Sequence, residues 1–335
     1  MPPNAEKIAD WLLAGLELKS TLFHVGQYCG TWQASTAGHQ QASFHVVLHG
    51  ECWLHVPARP GRSASSVHLT QGDAVFLLHD MPHCLSPLPV APPAARESER
   101  VGTMRALASD GNVPQHSLGL ACGFFEFRSG LDDQLLGLIP DHIVARNDET
   151  THDGPRAVFD LIRAEAHRHP DAPSPLIARL TELLFFYALR SVAARDDIAP
   201  GLWPLMRRAE FAPLITAIVD SPSRRWTTDS MADFVHMSRA RFCKQFMQAC
   251  GQPPAQFVTL VRMKMAAAML RTGTTTPDAA EMVGYQSESA FAQAFKRVTG
   301  EQPGAYRRTR KQELGAPAFS IDGKLPALLA LPALH

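Results

Sequence analysis

Ten of the 15 histidines fall between His24 and His142, together with four of the six cysteines. Imidazole nitrogen and thiolate sulfur are the donors that tetrahedral zinc prefers, and a thiolate is also the form an oxidant attacks. Cys29, His39, His45, His83, Cys84 and Cys122 are therefore the candidates for a metal or redox site, with Cys29, His45 and His83 expected to converge. Each has a plainer reading, since a buried cysteine usually packs as a small hydrophobe. His55, His68 and His79 are expected at surface or edge positions of strands. A second chemistry-bearing group lies further along. Phe242 and Phe246, and again Phe291 and Phe295, are four apart and would face a core. Arg239, Ala240, Cys243 and Lys244 would then project from one helix, and Glu288, Ser289, Ala292 and Gln293 from another. Side chains of these types near helix N-terminal ends suit hydrogen bonding to base edges and phosphates.

Two kinds of scaffold are needed to position these groups. Residues 1–145 read as mostly β. Phe44, Val46 and Leu48 alternate with polar neighbours, and after Gly50 the alternation resumes at Cys52, Leu54 and Val56, as in a half-buried hairpin. Gln71-Gly72-Asp73 is a turn signal between Val67-His68-Leu69 and Ala74–Leu78, and Leu120–Phe127 is a further strand. Short strands at this spacing predict a sandwich or small barrel. Residues 146–212 change to helical period, with a wide apolar face at Leu183–Tyr187, and suit a connector or dimerisation element. Residues 213–312 form the helical domain, and 313–335 an Ala/Leu/Pro tail.

Within the helical domain one pattern occurs twice. A short helix at Thr228–Val235, a turn at His236-Met237 and Ser238 as N-cap precede the first outward-facing helix. Thr276 as cap before Pro277, the short helix Ala279–Val283, the turn Gly284-Tyr285 and the cap Ser287 precede the second. The two caps are 49 residues apart, and a long helix including Arg262–Arg271 joins the copies. One helix-turn-helix pattern is weak evidence, because any three-helix bundle imitates it. Two in tandem are strong.

The run Gly284-Tyr285-Gln286-Ser287-Glu288-Ser289-Ala290-Phe291, then Phe295-Lys296-Arg297 and Gly300–Arg307, resembles the signature of AraC/XylS-type transcription regulators. The resemblance implies two recognition helices placed in successive major grooves of double-stranded DNA. It implies contact with RNA polymerase if the protein is an activator. Gln293 stands where a basic residue is common, and Gln302 where Ser or Thr usually precedes Pro303. Gly72-Asp73 followed by His83 resembles part of the second cupin motif, with Leu78 and Asp80 where Pro and Gly are usual. The first motif's His-x-His is missing, since Val47 follows His45 by two. The wider run from Cys29 to Gly123 is similar to a cupin-type sensor found on certain AraC regulators, some of which respond to reactive chlorine through cysteine oxidation. A small-molecule effector, zinc or an oxidant is the signal this implies, and a homodimer is a further expectation.

The fold class expected is multidomain α and β, a cupin-like β-barrel followed by an all-α domain with two helix-turn-helix units. Charge agrees with DNA as partner. Overall 32 basic residues balance 32 acidic ones, but residues 224–311 hold 14 Lys and Arg against 6 Asp and Glu, a surplus of eight. The alternative of a cupin-type metal-dependent enzyme with a helical appendage is disfavoured by the missing His-x-His. No apolar run reaches the roughly 18–20 residues of a membrane span. Met1-Pro-Pro-Asn-Ala-Glu-Lys lacks the pattern of a signal peptide, and six cysteines in 335 residues suit a reduced, cytoplasmic setting.

Overall fold

Ala42–His49 is buried on both faces up to its last residue, and this strand organises the N-terminal half. The computed structural model describes Trp11 and residues 18–59, 63–92, 103–107, 117–127, 138–147, 153–169, 174–192 and 201–315. Its strands are β1 (Leu18–Cys29), β2 (Ala42–His49), β3 (Glu51–Val56), β4 (Ser65–Thr70), β5 (Ala74–Leu77), β6 (Cys84–Ser86), β7 (Thr103–Arg105), β8 (Ser117–Phe127) and β9 (His142–Ala145). They form one six-stranded sheet, ordered β7-β1-β8-β2-β5-β9, and one three-stranded sheet, ordered β4-β3-β6. Every ladder is antiparallel. The tail expected at 313–335 lies almost wholly outside the described residues.

The alternation read from the sequence is real but both of its faces are covered. Phe44, Val46, Leu48, Phe76, Ala121 and Phe125 pack toward helices, while Val47, Val75, Leu118, Leu120 and Cys122 face the small sheet with Cys52, Leu54, Leu69 and Leu85. The expected half-buried hairpin is therefore corrected. β2 pairs with β5 and β8, and β3 with β4 and β6, so Gly50 (φ +78°) carries the chain from one sheet to the other. Asp73 closes the next turn from a buried position. Its carboxylate accepts from the Thr70 and Asn147 N–H groups (both 3.0 Å) and pairs with Arg146 at 2.7 Å. That holds the start of β5 against the end of β9.

Helices α1 (Asp153–Arg168) and α2 (Pro175–Val192) cover the outer face of the large sheet. Phe185 of α2 meets Phe76 and Phe125 with ring centroids 5.4 and 5.5 Å apart. Glu182 pins α2 to β1, accepting from the Ser20 N–H at 2.7 Å. The helical domain follows: α3 (Leu202–Arg207), α4 (Ala212–Asp220), α5 (Thr228–Phe234), α6 (Arg239–Cys250), α7 (Pro254–Arg271), α8 (Thr276–Met282), α9 (Glu288–Thr299) and α10 (Pro303–Gly315). One packing cluster runs from the large sheet through Leu202 and Trp203 into these helices. The Leu202 N–H donates to the Leu138 carbonyl, and the Gly201 N–H to that of Ala249 at the end of α6, both at 2.8 Å.

Phe211, Phe242, Phe246 and Phe257 form the aromatic centre behind α6, each fully buried. Phe246→Ala is expected to cost about 3–5 kcal/mol, the range for deleting a buried aromatic ring. Urea unfolding of the variant should show an earlier midpoint; an unmoved midpoint would mean the site collapses without loss.

Candidate nucleic-acid interface and a buried histidine cluster

Each helix-turn-helix unit is built by the same local chemistry. In the first, Thr227 caps α5 with a reciprocal bond to Ser230, and Ser238 caps α6 by accepting from the Arg241 N–H. In the second, Thr275 caps α8 and Ser287 caps α9 by accepting from the Ala290 N–H. The expected cap Thr276 is instead the first helical residue, because the Thr275 hydroxyl reaches the Asp278 N–H. Both turns need a left-handed residue: His236 (φ +54°) in one and Gly284 (φ +83°) in the other. At Gly284 a side chain would run into the backbone of Ser223, while His236 is exposed.

Phe242, Phe246, Phe291 and Phe295 point inward as expected. Arg239, Ala240 and Lys244 on α6, and Glu288, Ser289 and Gln293 on α9, are exposed; Cys243 and Ala292 are half-buried at the edge of the same faces. Sequence reasoning missed further exposed basic side chains here, among them Arg224 and Arg225 before α5, Arg241 on α6, and Lys296 and Arg297 on α9. It also missed Asp229 of α5, whose carboxylate lies 3.4 Å from the Arg239 guanidinium. Counting every outward position of the first two helical turns would have found Arg241.

Arg262, midway along α7, fixes one unit to the other. Its Nε donates to the Pro222 carbonyl (2.9 Å), its Nη2 to that of Arg224 (3.0 Å), and its guanidinium lies 5.7 Å from the centre of the Tyr285 ring. The loop before the first unit and the turn of the second thus share one cation.

In the N-terminal half the candidates divide. Cross-strand register places His45 of β2 opposite Cys122 of β8, and the His45 Nδ1 lies 3.1 Å from the Cys122 sulfur. On its other side, His45 Nε2 is 3.3 Å from His83 Nε2, with the Thr36 hydroxyl near both. His83 Nδ1–H donates to the Met81 carbonyl at 2.8 Å, so its Nε2 is the acceptor and takes the Thr36 N–H. His45 must then turn an Nε2–H toward it and accept from the Cys122 thiol at Nδ1. Burial holds both imidazoles below the ordinary value near 6.5, His45 well below, and the nearness of the His83 and His24 rings further opposes a charge on His45.

The other candidates stand apart. Cys29 pairs with Ser117 while His24 pairs with Cys122 on the same two strands. Five residues further along, Cys29 lies on the opposite face and roughly 16 Å away, so the expected meeting of Cys29 with His45 and His83 does not occur. Cys122 takes that place. His39 bonds the Thr36 carbonyl and packs at a tilt against the Phe124 ring. The Cys84 thiol donates to the Leu85 carbonyl, and burial raises its pKa, which opposes thiolate formation. His55 was expected at a surface or edge position but lies on the central strand of the small sheet, 3% exposed, held by Ser66 at 2.8 Å and Ser86 at 3.0 Å between β4 and β6. His68 and His79 are exposed or near the surface.

Among the described residues no group of three or more His, Cys, Asp or Glu is placed to hold a metal ion. His45 and His83 offer two nitrogens to one point, and the Cys122 sulfur lies on the far side of the His45 ring. A tetrahedral zinc set needs two more donors there, so the described residues do not fit zinc.

A tandem of capped helix-turn-helix units behind a two-sheet β domain defines a DNA-binding regulator with a separate N-terminal module. Residues 10–194 match the family model described as Cupin, and residues 231–309 the model described as Helix-turn-helix domain. An HTH-type transcriptional regulator of Haemophilus influenzae is 26% identical over 84% of this chain and 92% of its own. An AraC-like transcription regulator of Streptomyces lividans is 28% identical over 83% and 90%. The crystal structure of ToxT from Vibrio cholerae aligns over 88% of this chain and 98% of its own, at 12% identity and a TM-score of 0.34. The chain belongs to the AraC-type DNA-binding transcription regulators, with an N-terminal domain of the cupin family; it is a regulator, not an enzyme. The cupin match runs past β9 through α1 and α2, which agrees with the way these helices cover the large sheet. No described helix is long and apolar enough to cross a membrane.

Two outcomes follow. Arg262→Met should lower stability by about 2 kcal/mol, the worth of hydrogen bonds from a charged donor; an unchanged urea midpoint would show the cation holds nothing. The native imidazoles of His45 and His83 resist protonation, whereas unfolded ones take a proton below about pH 6.5. Stability should therefore fall as pH drops from 7.5 toward 5.5, and less steeply in His45→Gln. Equal slopes in thermal unfolding of the two proteins would remove His45 as a source.

Proposed function

We propose that this protein binds specific duplex sites in the cytoplasm through α6 and α9, and that its N-terminal domain adjusts that binding in response to an effector. The observation that carries the reading is the rigid pairing of the two units by Arg262. A fixed spacing lets two recognition helices meet successive major grooves about 34 Å apart. Arg239, Ala240, Cys243 and Lys244 face one groove, and Glu288, Ser289, Ala292 and Gln293 the next. RNA polymerase is the partner if the protein activates, and a homodimer through the α1–α2 region would place four helices on one operator. Zinc, for which the described residues supply too few donors here, is set aside, and the effector, a small molecule or an oxidant, acts at the Cys122–His45–His83 line. Two features support this. The line is the buried polar strip between the sheets, and β2, which carries His45, pairs with β5, which pairs with β9 just after Leu138. The Leu138 carbonyl accepts from α3.

A gel-shift with duplex from beside the protein's own gene tests the DNA reading. Binding should weaken by about 10³-fold or more between 50 and 200 mM salt if six or more phosphates are contacted. Flat binding over that range would refute it. Repeating the assay with zinc, with hypochlorous acid and with neither, for wild type and His45→Gln, tests the sensor. A response to hypochlorous acid present in wild type and absent in the variant is expected for an oxidant sensor; a small organic effector is indicated if neither addition acts but cell extract does. Equal responses in both proteins would move the sensor site elsewhere.

A further inference from the structure

The outward faces of the two recognition helices are chemically unlike. The first two turns of α6 expose Arg239, Arg241 and Lys244, three donors with positive charge. The first two turns of α9 expose Glu288, Ser289 and Gln293, and its cations, Lys296 and Arg297, come only in the last turn. Arginine presents two parallel donors to the O6 and N7 acceptors of guanine, whereas the glutamine amide offers one donor and one acceptor, the pattern that matches N7 and N6 of adenine. A carboxylate at Glu288 repels phosphate and the acceptor edges of guanine and thymine, and is satisfied only by a base amino group such as cytosine N4. Its plainer role, stabilising the positive end of α9, does not bear on Gln293.

Arg239 is also not a free arm. Its Nη1 lies 3.4 Å from the Asp229 carboxylate on α5, with both side chains about two-thirds exposed. An exposed ion pair of this kind adds little stability. A carboxylate in the first turn of α5 stabilises that helix, but a negative charge beside a DNA-facing cation is unfavourable to phosphate, and the contact with Arg239 itself needs a further reason. Fixing the guanidinium fork in one orientation supplies one, because bidentate recognition depends on that orientation.

We infer that the operator has two unlike half-sites, a guanine block read under α6 by Arg239 with Asp229 as its positioning residue, and an adenine-containing block read under α9 by Gln293. This rests on the proposed DNA-binding reading and names the chemistry of its ligand. Among the described residues the second unit has no equivalent of the Asp229–Arg239 pair; the first side chain of α9 is the exposed Glu288, and the hydroxyl of Ser289 is turned to the cap Ser287 at 2.8 Å. Binding to the two blocks is therefore directional, and the protein has one orientation on its site.

Selection of bound duplexes from a random pool by the full chain tests this, for wild type, Asp229→Asn and Gln293→Ala. Wild type should enrich two blocks about 10 base pairs apart, one with a fixed guanine and the other with a fixed adenine. Asp229→Asn should retain at least as much random DNA, having lost a repulsive charge, while its guanine preference drops about 10-fold. Gln293→Ala should relax the adenine alone. Two identical blocks, or a guanine preference untouched in Asp229→Asn, would overturn the inference while leaving DNA binding intact. Failure of wild type to enrich any sequence would instead refute the reading on which it rests.

Discussion

A single guanidinium ties two small helical units to each other across the helix that joins them. Each unit alone buries little: α5 and α8 are seven-residue helices, too short to stand without tertiary support. Arg262 takes two carbonyls from the loop before the first unit and lies against the aromatic ring at the turn of the second. Burial pushes its pKa down only from an extreme starting value, so it stays charged. The loop it holds is tied down again by Trp226, whose indole N–H donates to Ser221 and whose ring meets Phe234 edge-on. Gly284 is required where the second turn passes this loop, since its backbone sits against Ser223 with no room for a side chain. The angle between α6 and α9 is thus held twice, by the buried side chains of α7 that pack against both units and by the backbone contacts around one cation.

The N-terminal half solves a different problem. Its large sheet is covered on one face by α1 and α2 and on the other by the small sheet, so β2 and β5 have no solvated side. Polar groups on the inner face must satisfy one another. Cys122, His45, His83, Thr36 and the Met81 carbonyl do so in a directional chain of donors and acceptors, and both imidazoles remain neutral because burial opposes their charged forms. Such a line has few ways to change. A proton added, a thiol oxidised or a bond competed for by a guest breaks the direction of the whole chain.

How much of this was legible depended on the range of the interaction. The caps Ser238 and Ser287, the inward phenylalanine pairs and the outward faces of α6 and α9 are local consequences of helical period, and the sequence carries them openly. The cap at Thr275 was misplaced by one residue because Thr275 and Thr276 are both competent and only the geometry at Asp278 chooses. The turn at Gly72-Asp73 was visible, but not that Asp73 reaches Arg146 and Asn147 far along the chain. Pairing in the sheets was misread at Gly50 for the same reason: alternation names the two faces of a strand and is silent on its neighbours. β1, the longest strand, passed unseen because its alternation is interrupted at the register shift near Leu22 and His24. Cys29 and Cys122 looked equivalent in the sequence; strand parity, known only with the register, separates them.

The same residue types serve opposite ends in the two halves, and burial is what divides them. On α6 and α9, charge and amide groups are left in water, where they contribute almost nothing to stability and are free to be desolvated by a partner that matches them. Between the sheets, imidazole and thiol are taken out of water and must be matched internally. A chain that shares one packing cluster from the large sheet, through Leu202 and Trp203, to the back of α6 connects these two conditions. The back of α6 is the fully buried group of Phe242 and Phe246, and Gly201 bonds its last turn. Close-packed aromatic interiors move between discrete arrangements rather than deform continuously. A shift of α3 against α6 would be taken up at the two hydrogen bonds that flank it, Leu202 to Leu138 and Gly201 to Ala249, while Lys264 of α7 over the Trp11 ring is a second contact between the halves.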